Sequence, residues 1–193
     1  MTVADIFRPA ARRAARTYDV ALVLGASAVV ALCSQVEFHL PGNPVPITGQ
    51  TFAVLLAGAL LGPRLGALAM LAYLTQGALG LPVFAGGAGG AARLLGPTGG
   101  YLIGFVAAAA LVGWLAERGW DRTPWLTAGA MFLGNLVIYA LGVTRLAAFV
   151  GSDQAVALGV LPFLPGDLIK VALATGLLPS AWKLLGGRRP AMP

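Results

Sequence analysis

The sequence predicts an all-α membrane protein. It has six transmembrane helices, both termini in the cytoplasm, and a glycine-rich outer loop between helices three and four. Three observations carry that prediction. First, the 193 residues are 58% hydrophobic and only 10% charged, with a mean hydropathy of +0.83. That balance excludes an ordinary water-soluble domain and puts long apolar stretches in a bilayer. Second, ten of the 13 Lys and Arg residues fall into four places: Arg8, Arg12, Arg13 and Arg16; Arg64; Arg118 and Arg122; and Lys183, Arg188 and Arg189. These are the two chain ends and alternate short links, the positive-inside distribution, so the number of crossings is even. Third, residues 80–101, GLPVFAGGAGGAARLLGPTGGY, set a glycine-rich hinge between apolar runs. Irregular backbone at membrane depth survives only where protein buries it or where it lines a cavity. The hinge therefore reads as the lid or wall of a small-molecule site.

The length suits one domain, residues 1–193. The first helix is expected over residues 19–36; its apolar run begins near Val20 and lacks a cleavage-site pattern, so it reads as a span and not as a leader. Along it, Ala21, Gly25, Ala28 and Ala31, with Ser27 alongside, form a small-residue strip at helical spacing. Such strips admit another helix closely; the partner is an internal helix, a separate subunit or a second copy. The second and third helices, residues 50–61 and 65–79, fall short of the roughly 20 residues of a full crossing. A tight turn at Gly62-Pro63-Arg64 joins them, and short segments of this kind are helices that meet partway or leave a cavity. The fourth, fifth and sixth helices are expected over residues 100–116, 124–149 and 166–185. On the outer side lie three loops. Residues 37–46 carry three prolines, the second loop is the glycine-rich stretch, and residues 150–165 carry Asp153.

Several function classes drop out. The net charge of +6 sits in clusters at helix ends and not on a face with interleaved aromatics, so nucleic acid is not expected as a partner. The chain has no G-x-x-x-x-G-K-[ST] and no G-x-S-x-G, so neither a P-loop nor a hydrolase elbow is present. With one histidine, His39, and one cysteine, Cys33, a His/Cys metal centre cannot be assembled. Cys33 reads as a small core residue. No cofactor and no enzymatic activity are expected.

Charges inside apolar segments are costly and face cavities or one another. Asp167 and Lys170 share one face at the start of the last helix. They read either as an ion pair near a helix N-terminus or as ligand groups, with the lysine suited to a carboxylate and the aspartate to N–H donors. Arg93, the one basic residue of the glycine-rich loop, clamps an anion or anchors at the headgroups. Asn135 and Tyr139 face the cavity or bridge helices. Thr48 is placed as an N-cap for the second helix. Phe84 and Tyr101 border the loop, where they stack on a ligand or join the interfacial aromatic belt.

Three segments in order, PGNPVPITGQTFAVLLAGALLGPRLGALA, YLTQGALGLPVFAGGAGG and LLGPTGGYLIGF, with the separate Pro-Gly-Asp-Leu-Ile-Lys that opens the last helix, closely resemble the BioY family. These are the biotin-specific substrate-binding subunits of energy-coupling-factor (ECF) transporters. The resemblance implies a multi-pass subunit of a bacterial plasma membrane that captures biotin from outside. It implies partners too: a transmembrane coupling subunit and paired ATPases. Biotin is the transported ligand and would lie near the outer surface under the loops. By the same resemblance, Asp167 and Lys170 contact the ligand, and Gly86, Gly87, Ala88, Gly89 and Gly90 cover it. Ala88 supplies no hydrogen bond from its methyl group, which passes any polar contact from this loop to Arg93 or to main-chain amides. On this reading Lys170 or Arg93 meets the carboxylate, and Asp167 or Asn135 meets the ureido N–H groups. A self-sufficient facilitator is the alternative; the absence of a long inverted repeat disfavours it. Membrane lipid surrounds the protein under either reading.

Overall fold

Residues 1–185 are described in a computed structural model of the chain; Arg188 and Arg189 lie outside the described residues. The chain opens with a single helical turn, α1 (Val3–Ile6), closed by a capping box in which the Asp5 carboxylate accepts from the Thr2 amide and hydroxyl. A long helix follows, α2 (Arg12–Ser34). It starts earlier than residue 19 because its first two turns, rich in Arg and Ala, are good helix formers although polar. The segment after α2 forms a two-stranded antiparallel ribbon, β1 (Glu37–Phe38) with β2 (Ile47–Thr48), around the proline-rich turn.

The next helical stretch, α3 (Gln50–Ala78), is interrupted at Gly62, whose φ of 82° and ψ of 177° are not helical. It doubles back there. Gln50 Nε2 donates to Tyr73 Oη at 2.6 Å, and a Cβ built on Gly66 would lie 3.0 Å from the Gly58 Cα. In a straight helix those pairs would be tens of ångströms and about 12 Å apart at 1.5 Å per residue. Gly62 supplies the positive φ that an L side chain resists, and Pro63 starts the second arm with its missing N–H at no cost.

After the glycine-rich segment, with a 3-10 turn at Ala85–Gly87 and the short α4 (Ala92–Leu95), come α5 (Gly99–Glu117) and α6 (Pro124–Val150). Residues 150–165, expected as a loop, are instead mostly helical: α7 (Ser152–Gly159) and a 3-10 turn at Leu161–Phe163 lead into α8 (Leu164–Leu185). The stretch from Ser152 to Leu158 holds good helix formers, with Asp153 favoured in its first turn. Gly151, at φ 84°, is what separates it from α6. With the β ribbon, this is the second departure from the expected loops on that side.

Among the described residues, five helical stretches are long and apolar enough to cross a membrane. Within the bundle α5 is the centre. It packs on both arms of α3 and on α6, while α2 lies against α3 and α8 against α6. Small residues permit this closeness. A Cβ on Gly58 would stand 2.5 Å from the Ala109 carbonyl oxygen, and one on Gly113 would stand 2.3 Å from the Gly62 carbonyl carbon. One end of the bundle gathers α1, the Gly62 turn, Glu117 and the Asp121–Trp182 contact. The other end gathers the β ribbon, the glycine-rich segment and α7.

Candidate functional site

A cavity of ≈ 70 Å³ opens at the looped end. Its walls come from six parts of the chain. The β ribbon brings Val45, Pro46 and Thr48, and the first turn of α3 brings Gln50 and Thr51. Thr48 stands one residue ahead of the N-cap, Gly49, yet its hydroxyl still accepts from the Gln50 amide at 3.3 Å. The glycine-rich segment contributes Phe84, Ala85, Arg93 and Thr98; α5 and α6 add Tyr101, Leu102, Phe105, Ile138 and Tyr139; α8 and the turn before it add Phe163, Asp167 and Lys170.

The polar groups cluster at the α8 side. Lys170 Nζ donates to Asp167 Oδ1 at 3.2 Å and to Thr51 Oγ1 at 2.7 Å, and Tyr139 Oη donates to Asp167 Oδ2. The Asp167 side chain is 9% exposed and that of Lys170 18%. Ionised groups this sheltered need such partners. Asp167 thus accepts from two donors while part of its surface faces the cavity, and Thr51 and Asp167 compensate the lysine. Arg93 stands in the opposite condition: it lines the same cavity, and among the described residues no carboxylate lies within 4 Å of it. The remaining walls are apolar and aromatic. Tyr101 presents its ring, 6.4 Å from that of Phe163, because its hydroxyl is already committed to the Gly159 carbonyl oxygen at 2.9 Å.

The structure therefore brings together Asp167, Lys170, Arg93 and Tyr101 from the sequence-derived set. It does not bring Asn135 to this cavity. Asn135 sits one turn before Tyr139 on α6, in a separate crevice lined also by Phe52, Leu55, Met131, Lys170 and Val171. Nor do Gly86, Gly87, Ala88, Gly89 and Gly90 line it. They build the turn that holds Phe84 and Ala85 in place. Phe84 and Ala88 exchange a bridge, Gly86 and Gly87 adopt positive φ, and Gly89 packs where a Cβ would be 2.6 Å from the Leu81 carbonyl oxygen. A relay of side chains fastens this turn from below: Gln35 Oε1 accepts from the Gly87 amide at 3.0 Å, and Ser34 and Tyr73 both donate to the Val83 carbonyl oxygen, at 2.7 and 3.1 Å.

Sequence reasoning missed the Thr51 contact and the role of Arg145, whose guanidinium donates to the Leu95 carbonyl and so ties the end of the glycine-rich segment to α6. An unpaired arginine within an apolar helix was the signal for the second; nothing in the sequence distinguished Thr51 from any helical threonine. The strip Ala21, Gly25 and Ala28 faces outward from the bundle: all three are exposed and a Cβ on Gly25 would touch nothing within 4 Å.

Comparison with known proteins bears directly on this geometry. The family model described as the BioY family matches residues 8–187. A protein named probable biotin transporter BioY from Pyrococcus horikoshii is 46% identical over 156 residues, covering 81% of this chain and 91% of that protein. A biotin transporter BioY from Rhizobium etli is 41% identical over 167 residues, covering 82% and 89%. Among solved structures, the crystal structure of the S-component for biotin from an ECF-type ABC transporter superposes with a TM-score of 0.79 at 26% identity, over 90% of this chain and 95% of that one.

Proposed function

The chain belongs to the BioY family of integral membrane proteins, and from that premise we propose that it captures biotin at the looped end of its bundle as the substrate-binding subunit of an ECF transporter. One observation carries the reading. A single cavity joins a sheltered acid–lysine–tyrosine cluster to an uncompensated arginine across apolar and aromatic walls. Biotin has that distribution of chemistry: a ureido group that donates and accepts, an apolar bicycle and valeryl chain, and a carboxylate. A mostly apolar pocket with a few convergent polar groups suits it.

In this reading Asp167 accepts from a ureido N–H, and Lys170, which donates to Asp167 Oδ1, holds that carboxylate in position. Arg93 takes the biotin carboxylate because its charge has no acidic partner. Asn135 acts through Lys170. The cavity is smaller than the roughly 300–1,000 Å³ usual for small-ligand sites, so entry requires the turn at Phe84–Ala88 to lift; Gly86 to Gly90 serve as its hinge. Counting the two arms of α3 separately gives six spans, with α1, the Gly62 turn and the arginine clusters on the cytoplasmic side. The exposed Ala21, Gly25 and Ala28 strip is the face for the coupling subunit, which would bring the paired ATPases. No chemistry is performed on the ligand.

Calorimetry of biotin binding to Asp167→Asn and Lys170→Met tests the site. Loss of one charge-assisted hydrogen bond, about 1.5–3 kcal/mol, corresponds to roughly ten- to hundredfold weaker binding. Wild-type affinity in both variants removes the pair from the site.

A further inference from the structure

Arg145 stands toward the looped end of α6 yet does not line the biotin cavity. We propose that it is a positioning residue: by fixing the carbonyl end of α4, it holds the Arg93 guanidinium where the ligand's carboxylate arrives. This rests on the biotin reading and adds to it a residue that touches no ligand. Along α6, Ile138 lines the cavity, and Arg145 follows two turns later on the same face. From there its guanidinium donates to the carbonyl oxygen of Leu95, the last residue of α4. Arg93 lies two residues earlier in that helix. Four residues do not hold a helix unaided, because nucleation costs more than so few hydrogen bonds return. The Arg93 amide donates to the Gly90 carbonyl at 3.1 Å, and the Gly90 amide donates in turn to the Gly77 carbonyl of α3 at 2.7 Å. The entry to α4 is thus fixed from α3, and Arg145 fixes its exit from α6.

Stability alone does not account for an arginine at this place. Its Nε is buried without a hydrogen-bond partner, and a desolvated donor left unsatisfied costs free energy. Among the described residues no carboxylate lies within 4 Å of the guanidinium, whose carbon stands 5.1 Å from the centre of the Phe149 ring. The Leu95 contact is exposed, so water would satisfy that carbonyl without a cation. What the arginine adds is a fixed link between two elements. Gly100 makes room for it, since a Cβ there would lie 2.5 Å from the Arg145 Cβ. The first turn of α5 therefore packs directly on the arginine stem. Arg93, Thr98 and Tyr101, the wall residues of this stretch, are in this way held in register with α6.

Titration calorimetry of the purified full chain, with biotin and with carboxylate-free biotin alcohol, tests this. Arg145→Met should bind biotin about tenfold more weakly, as a misplaced charge-assisted contact implies, while binding the alcohol as wild type does. Unchanged affinity for the alcohol also shows that the variant is folded. Arg145→Lys, which keeps a cationic donor, should bind biotin more tightly than Arg145→Met. Arg93→Gln/Arg145→Met should be no weaker than Arg93→Gln alone, because two residues acting through one contact do not add. Equal losses of biotin and the alcohol in Arg145→Met, wild-type biotin affinity in that variant, or additive losses in the double variant would each overturn the proposal. Arg93→Gln alone separates the two readings. If it weakens biotin and spares the alcohol while Arg145→Met weakens neither, only the positioning role falls. If wild type binds neither ligand, the biotin reading falls and this inference with it.

Discussion

Side chains divide into those that chemistry exposes in a sequence and those that only folding reveals. Asp167 and Lys170 stood out because a charge in an apolar stretch must be compensated and few partners exist, and Arg93 because it is the one basic residue of the glycine-rich loop. Tyr139 was legible only as a residue that faces the cavity or bridges helices, and Thr51 was not legible at all, since a threonine hydroxyl on a helix is satisfied equally by the carbonyl of the preceding turn. The division of labour between the two cations gives a sharp prediction. Arg93→Gln should weaken biotin roughly ten- to hundredfold yet leave a carboxylate-free biotin alcohol unaffected. Equal losses for both ligands would assign Arg93 to the loop and not to the carboxylate. A second residue lies outside the site. Asp121 is buried in the link between α5 and α6, accepts from the Trp182 indole, and has Oδ1 without a partner among the described residues. Burial, the largest cause, raises its carboxyl pKa above 3.8, with the indole bond working against it. A raised acid pKa means the folded state holds the proton more tightly than the unfolded one. The charge then costs stability progressively as pH rises from about 4 toward the folded pKa, and the penalty is constant beyond it. Asp121→Asn removes that cost, so its melting advantage over wild type should grow from about pH 4 upward and then level off. An advantage independent of pH would place the effect elsewhere.

Among the elements, the doubled-back α3 shows what a sequence does convey. Two apolar arms, each too short to cross, flanking Gly-Pro-Arg, implied a tight reversal, and the reversal is there. What the sequence did not convey was its dependence on α5. Gly113 lies where a Cβ would be 2.3 Å from the Gly62 backbone, so Gly113→Leu should overpack the turn and lower stability by about 1–3 kcal/mol, read as a lower melting temperature in detergent. Unchanged melting would show that the arms separate freely. The outer links were read less well. Prolines correctly excluded helix from residues 37–46, but α7 was hidden, because one short helix pinned between Gly151 and the Leu-Pro-Phe turn has no periodicity long enough to register. The small-residue strip on α2 was visible, though not its direction. Now that it faces outward, Gly25→Trp should abolish biotin uptake through the assembled transporter while leaving biotin binding to the isolated subunit intact. Loss of both would make the strip an internal contact instead.

For the molecule as a whole, the distribution of charge, burial and irregular backbone is one pattern. Cations collect at the end with α1 and the Gly62 turn, glycine and proline at the other, and the most buried helix, α5, holds the two ends in register. Polar lining at the looped end sits beside a turn in which Gly86, Gly87, Gly89 and Gly90 carry no side chains. The most direct measurement is accessibility of Ala85→Cys, in a Cys33→Ala background, to a membrane-impermeant thiol reagent added to intact cells. Ala85 lines the cavity and stands in the turn beside it. Capture from outside requires that this cysteine be labelled from the exterior and that biotin, but not lipoate, protect it. Labelling only after the cells are opened, or labelling that biotin leaves unchanged, would contradict the account.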